Sequence, residues 1–467
     1  MIATRSKPRL RLAILALAAG LCLAGCSEAR YVFNTADPRG DGPAASPALP
    51  AESLDAWRAA RPDILAAVEQ TLFGGAPAPG RVETISRRLA DPQAFDGAGR
   101  LEEIELELSG GDLDAPLRMT LALALPNGRR GPAPVILIPN ECGNAFALQR
   151  PDLRAAQAHT LPYCRSGGFG AAVGGFLFGR YVLTPPAEDI LRAGYAIAAW
   201  HESDVAPDHA EAFAATLQTF GARPETEGRP GVIALWAWTM SRVIDHLEDD
   251  PRTGATAAFA HSRRGKAVLL AAARDPRIAA VIAHQSGTGG ASLHGDGVGE
   301  PLASITQSYP HWFGRDYAAY AGREAALPVD AHHVLALIAP RPVLLGNARR
   351  DTWSDPAGAF RAAEAASEVW RLYGEVGLTV DRLTAFDPAA DLAFHMRPGT
   401  HGVTPDKCWP FGFGKHAKPT WRLANEREDS PGLGMPSAVS CPPVSALMRA
   451  MTAPSGLRSG TVSGSCG

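Results

Sequence analysis

The chain has 467 residues, with 45 Lys and Arg against 48 Asp and Glu, for a formal net charge of −3. Hydrophobic residues at 46% and charged residues at 20% match ordinary globular usage, which excludes general disorder. The acidic balance, with no Lys/Arg-rich block, excludes a dominant nucleic-acid-binding surface, while 48 glycines and 39 prolines without a triplet period point to many turns and loops.

Arg5, Lys7, Arg9 and Arg11 precede an apolar run over residues 12–25, shorter than the roughly 20 residues of a bilayer span. A basic head, a short apolar core and small residues at its end describe a secretory signal over residues 1–25. Its end, Leu23-Ala24-Gly25-Cys26, resembles a bacterial lipobox, which implies cleavage before Cys26 and a lipid on its thiol. The expectation is an exported, lipid-anchored protein at the periplasmic face or surface of the outer membrane, touching the membrane only through that lipid. Residues 26–50 are rich in Pro, Ala, Gly and Asp, and their composition predicts a flexible tether.

Apolar spacing predicts a helix over residues 52–73, then strands over 101–108, 119–125 and 134–139. The last of these, PVILIP, reads as a strand buried on both faces. After a Gly-rich stretch at 165–179 come a helix at 187–192, a strand at 195–200 and the strongest helical pattern of the chain, GVIALWAWTMSRVIDHL, at 231–247. A strand at 256–260, a helix at 266–273, a strand at 278–283 and a helix ending near 338 follow. A strand at 342–345, a helix at 357–370 and a final strand at 389–396 complete the series. Strands alternating with helices predict one α/β domain over residues 51–409, with a mostly parallel sheet covered by helices on both sides. Residues 410–467 have little amphipathic period and much Pro, Gly and Ser, and are expected to be a poorly ordered tail.

Of seven cysteines, Cys22 leaves with the signal. Outside the cytoplasm disulfides persist, so Cys142 with Cys164, and a bridge among Cys408, Cys441 and Cys466, are candidates. No CxxC or paired-histidine spacing suggests zinc, and no metal or cofactor is expected.

The most informative stretch is ATAAFAHSRRGKAVLLAAA at residues 255–273. An apolar strand runs into Ser262 and a helix follows at once, a turn that projects the hydroxyl from the carboxyl end of a sheet. The helix start offers backbone N–H groups and a positive dipole end to a developing oxyanion. The pattern G-x-S-x-G is not satisfied, because Ala260 and Arg264 stand at its glycines. Residues 261–291, HSRRGKAVLLAAARDPRIAAVIAHQSGTGGA, resemble the nucleophile region of the glucuronoyl esterases, carbohydrate esterase family 15. Matching segments run in family order over about residues 130–405: DVAPD at 204–208, PHWF at 310–313, ALPVDAHHVLALIAPRP at 326–342, DTWSDP at 351–356 and RPGTHGVT at 397–404.

The resemblance implies an α/β-hydrolase that de-esterifies 4-O-methyl-glucuronic acid in glucuronoxylan, freeing lignin alcohols or methanol. Its partners would be that ester substrate and no nucleic acid, and it would act as a monomer. By turn geometry and resemblance Ser262 is the nucleophile. The resemblance also makes Arg263 an oxyanion clamp, and Lys266, Glu300 and Trp353 contacts to the sugar. Among thirteen histidines, His401 sits in a loop after the presumed last strand, where a general base belongs. His395 reads as buried structure, and of His332 and His333 on a helix one is expected to face solvent.

The acid is chosen between Asp351 and Asp355. Asp351 is preferred because its Asp-x-Trp pairing with Trp353 resembles the family. Some family members carry a carboxylate before the S-G-x-G-G segment, where this chain has Gln285, and an amide cannot balance imidazolium charge. Two further departures are Asn140-Glu141-Cys142-Gly143-Asn144 in place of a Gly-rich loop, and Pro405-Asp406 where a terminal helix usually begins. A missing helix would leave one sheet face exposed. The rival expectations are a carboxylesterase acting on another small or acetylated sugar ester, and a non-catalytic carbohydrate-binding lipoprotein.

Overall fold

The structure, a computed structural model, describes residues 40–42, 45–156, 164, 182, 184–294 and 298–403. The expected signal, Cys26, the Gly-rich stretch at 165–179 and the tail cysteines lie outside the described residues.

A nine-stranded sheet runs in the order β1-β2-β3-β5-β4-β6-β7-β8-β9. Its members are β1 (Arg81–Ala94), β2 (Gly99–Ser109), β3 (Leu117–Pro126), β4 (Ala133–Asn140), β5 (Ala196–His201), β6 (Thr253–His261), β7 (Ile278–His284), β8 (Val343–Ala348) and β9 (Leu392–Arg397). The first three strands pair antiparallel, as do β3 and β5, and every later pairing is parallel. Strands β4, β5, β7 and β8 are buried along nearly their whole lengths, as apolar runs without alternation predict for a sheet covered on both faces.

The helices Leu54–Val68, Val232–Glu248, Arg263–Arg274, Ala331–Ala336 and Pro356–Leu372 cover one face. Of the 17 residues in Val232–Glu248 nearly all are buried, and its Trp236 indole donates to the Ala206 carbonyl at 2.8 Å. Each fully buried Leu, Ile or Val on this face contributes about 1.5–3 kcal/mol relative to exposure. Ala187–Arg192 and the short Asn144–Ala147 lie toward the other face.

Several expectations are corrected. Strand β1 had no prediction, because as an edge strand exposed along most of its length it carries no two-residue apolar period, and Ile85 and Leu89 point into solvent. On the face away from the large helices, Ala280, Ile282, Leu344 and Ala393 are all buried, clustering with Tyr195 and Val403. The end of the expected tether is docked, since the Arg361 guanidinium donates to the carbonyls of Gly40 (2.9 Å) and Asp41 (3.1 Å) and Nε2 of His332 contacts the Pro47 carbonyl at 2.7 Å. His332 and His333 are both buried rather than one facing solvent: His332 takes that Pro47 contact, and Nδ1 of His333 accepts the Asp330 N–H in a capping box. His395 is only partly buried, packing edge-on against Phe386. Cys142 and Cys164 form the expected disulfide.

Candidate active site

Strand order reverses between β4 and β6, so the crevice beyond their carboxyl ends is where an open α/β sheet accepts ligands. The parallel strands end level: His261 of β6 pairs with His284 of β7, His284 with Gly346 of β8, and Gly346 with His395 of β9. The segments leaving these strand ends therefore converge on one rim. Ser262 follows β6, Gln285 follows β7, Asp351 comes shortly after β8, and His401 shortly after β9.

Ser262 has φ 58° and ψ −131°, a left-handed conformation costly for a non-glycine residue and characteristic of a nucleophile turn. The turn is held by the Ser262 N–H donating to the His284 carbonyl at 2.8 Å. It also needs close approach, since a Cβ at Gly265 would stand 3.0 Å from Cβ of Ser286. Ala260, at the motif's missing glycine, is small enough to be buried there.

Nε2 of His401 lies 2.9 Å from Oγ of Ser262, and its Nδ1 lies 2.8 Å from Oδ2 of Asp351. An ionised carboxylate accepts, so Nδ1 carries the hydrogen and Nε2 is left as the acceptor for the serine proton. Oγ of Ser354 is a second neighbour of Nδ1 at 3.1 Å. Burial opposes ionisation of Asp351, but the His401 ring and the hydrogen bonds from His401 and Ser354 hold its carboxyl below the usual range. Asp355 does something else. At φ 45° it caps the helix Pro356–Leu372, accepting the Gly358 N–H at 2.9 Å, and burial pushes its carboxyl up to about 6. Of the two carboxylates, Asp351 is the one hydrogen-bonded to His401.

Arg263 is held from two sides. Its Nη2 meets Oε2 of Glu141 at 2.5 Å and its Nε meets Oδ2 of Asp208 at 2.7 Å, while the guanidinium carbon stands 5.8 Å from the Trp312 ring centroid. Asp208 also takes hydrogen bonds from His311 (2.9 Å) and the Trp312 indole (2.6 Å). Burial works against its charge, yet Arg263, His311 and Trp312 together lower its carboxyl to about 2. The same Oε2 of Glu141 meets Arg264 at 2.5 Å, with Glu202 another 3.7 Å from Arg264. Burial, with the charges of Glu141 and Asp208, raises the Glu202 carboxyl to about 7 against the pull of both arginines. Glu141 and Asp208 were given no role from sequence: Glu141 registered only as part of a departure from the family pattern, and Asp208 only as the end of a matching segment.

Lys266, Glu300 and Trp353 gather around the loop 286–290. The buried Lys266 ammonium donates to the carbonyls of Ser286 and Thr288, the latter at 2.7 Å, which leaves one of its three N–H groups for another partner. Burial lowers it to about 8 against the pull of Glu300, and burial raises the Glu300 carboxyl against the pull of Lys266. The Glu300 N–H donates to the Trp353 carbonyl at 2.9 Å, and Thr288 Oγ1 donates to the Glu300 carbonyl at 2.7 Å. Every predicted site residue within the described set thus lies on the rim or beside it. Among the described residues no group of three or more His, Cys, Asp or Glu could hold a metal ion.

A hydroxyl, an imidazole and a carboxylate in line, beside an arginine and backbone N–H groups at a helix start, can perform nucleophilic acyl transfer. A family model described as "Glucuronyl esterase, fungi" matches residues 181–374. A carbohydrate esterase from an unknown prokaryotic organism is 31% identical over 355 residues, covering 74% of this chain and 81% of that relative. A 4-O-methyl-glucuronoyl methylesterase of Wolfiporia cocos is 29% identical over 206 residues, covering 41% of this chain and 49% of its own. The solved glucuronoyl esterase of Solibacter usitatus superposes with a TM-score of 0.65 at 31% identity, covering 78% of this chain and 95% of that one. With the rim geometry and these likenesses together, the chain belongs to the glucuronoyl esterases of carbohydrate esterase family 15, which are carboxylic ester hydrolases.

Proposed function

We propose that this chain is a serine esterase that cleaves esters of 4-O-methyl-glucuronic acid in glucuronoxylan, releasing a lignin alcohol or methanol. The observation that carries the reading is the unbroken hydrogen-bonded line from Asp351 through His401 to Ser262, with Arg263 next in the chain. His401 Nε2 takes the Ser262 proton as Oγ attacks the uronate ester carbonyl. Negative charge gathers on the carbonyl oxygen, where Arg263 and the N–H groups of the helix start stabilise it more than the neutral ester. His401 returns the proton to the departing alcohol, and a water activated by the same imidazole frees the uronic acid from Ser262. Lys266 and Glu300, a donor and an acceptor side by side, suit the ring hydroxyls of a uronic acid and favour that substrate over a simple acetyl ester. The protein is exported and held to the outer membrane through a lipid on Cys26, and the catalytic domain works as a monomer.

The test compares benzyl and methyl glucuronate esters with a plain acetate ester. The wild type is expected to prefer the glucuronates, and Ser262→Ala is expected to lose activity on all three. Full activity of Ser262→Ala, or a preference for acetate, defeats the proposal. Metabolic labelling with a fatty acid is expected to mark the full chain and to miss Cys26→Ala.

A further inference from the structure

The carboxamide of Gln285 is wholly engaged. Its Nε2 donates to Oδ2 of Asp351 at 2.7 Å and to the Thr400 carbonyl at 3.0 Å, and its Oε1 accepts from the Gly402 N–H at 3.0 Å, Nε2 of His261 at 3.2 Å and Nη2 of Arg397 at 3.4 Å. Acceptors surround one end and donors the other, so the amide has a single orientation. The partners also fix His261 as the Nε2–H tautomer, and burial, with the charge of Arg264 nearby, keeps that ring neutral. Gln285 is itself buried, with φ 49°, and its N–H donates to the Gly346 carbonyl at 2.8 Å. Its own carbonyl accepts from Oγ of Ser354, the hydroxyl that neighbours Nδ1 of His401. Thr400 and Gly402 are the residues on either side of His401.

We infer that Gln285 is a positioning residue for ester hydrolysis, whose one amide pins the acid and both flanks of the base and so sets the Asp351–His401–Ser262 line. An amide serves here where a carboxylate would not, because it can donate to Asp351 while still accepting from Gly402. A carboxylate at this site would set two like charges at hydrogen-bond distance. Misplacement of a catalytic group by about 1 Å costs up to roughly 100-fold in rate. The inference rests on Ser262, His401 and Asp351 carrying the hydrolysis.

The test is Gln285→Met, which keeps the length and removes donor and acceptor, assayed on benzyl glucuronate with the wild type and Ser262→Ala alongside. The expected result is a kcat lower by about 10- to 100-fold with KM within about twofold. A second readout is coupling. Asp351→Asn has two ends to offer His401, and the Gln285 donor at Oδ2 selects the carbonyl end there. Asp351→Asn is therefore expected to cost at least about tenfold more in the Gln285→Met background than alone, whereas a role confined to packing gives additive losses. If Gln285→Met does not fold, Gln285→Asn, one methylene short of its partners, is expected to show the same kcat loss and the same coupling. A kcat within about threefold of wild type, or additive losses, overturns the inference, and beside an inactive Ser262→Ala it does so without touching the assigned hydrolysis.

Discussion

Asp351→Asn isolates the charge of the acid from its geometry. His401 Nδ1 at 2.8 Å and Gln285 Nε2 at 2.7 Å both point at the same oxygen, Oδ2. The introduced amide satisfies both donors by placing its carbonyl there, so the imidazole keeps the hydrogen on Nδ1 and the acceptor on Nε2. Only the negative charge disappears. The carboxylate stabilises the imidazolium that forms in the transition state, so its loss is expected to lower kcat by about 10- to 1000-fold. In serine hydrolases where the amide inverts the tautomer, the loss reaches about 10⁴-fold. The assay is kcat on benzyl glucuronate across pH. A loss of about 10⁴-fold would show the amide presenting its N–H to His401 and refute the reasoning. A loss under about threefold would remove Asp351 from the relay.

Glu141→Gln removes the carboxylate shared by Arg263 and Arg264; the expected outcome is a kcat lower by about 10- to 100-fold and a denaturation free energy lower by about 3–5 kcal/mol, read by activity and urea unfolding. Asp355→Asn keeps an acceptor for the Gly358 N–H, so kcat is expected to stay within about twofold. The wild-type carboxyl rises from 3.8 to about 6 on folding, so the folded state holds the proton longer and stability declines as pH climbs from about 4 through 6. Asp355→Asn is expected to flatten that decline in melting temperature measured against pH. Lys266, lowered to about 8, sheds its charge above that pH, so KM for glucuronate esters is expected to rise there. Lys266→Met is expected to show the raised KM at every pH.

The turn at Ser262 was legible because an apolar strand runs into it and a helix follows at once, while the missing G-x-S-x-G glycines left the nucleophile role to the family resemblance. His401 was legible from its place after the last strand. The preference for Asp351 over Asp355 came from the resemblance of its Asp-x-Trp pairing and not from local pattern, because both flank the short 3₁₀ turn Thr352–Ser354 and only its backbone path sends one to His401 and the other to a helix cap. Glu141 and Asp208 meet Arg263 across 122 and 55 positions of sequence, a convergence at the sheet's reversal that no local pattern records. Gln285 read as a lost acid, since an isolated glutamine does not reveal that five partners surround its amide. Strand β1 was silent for the opposite reason: exposure along most of its length leaves composition free to vary.

Among the described residues His401 is carried by the loop beyond β9, which has β8 as its sole strand neighbour. Border strands of this kind open at lower free energy than the centre of a sheet. Detachment of that border would uncouple hydrolysis while β4 to β7 stay assembled, so heat inactivation would track fraying at one margin and precede collapse of the body.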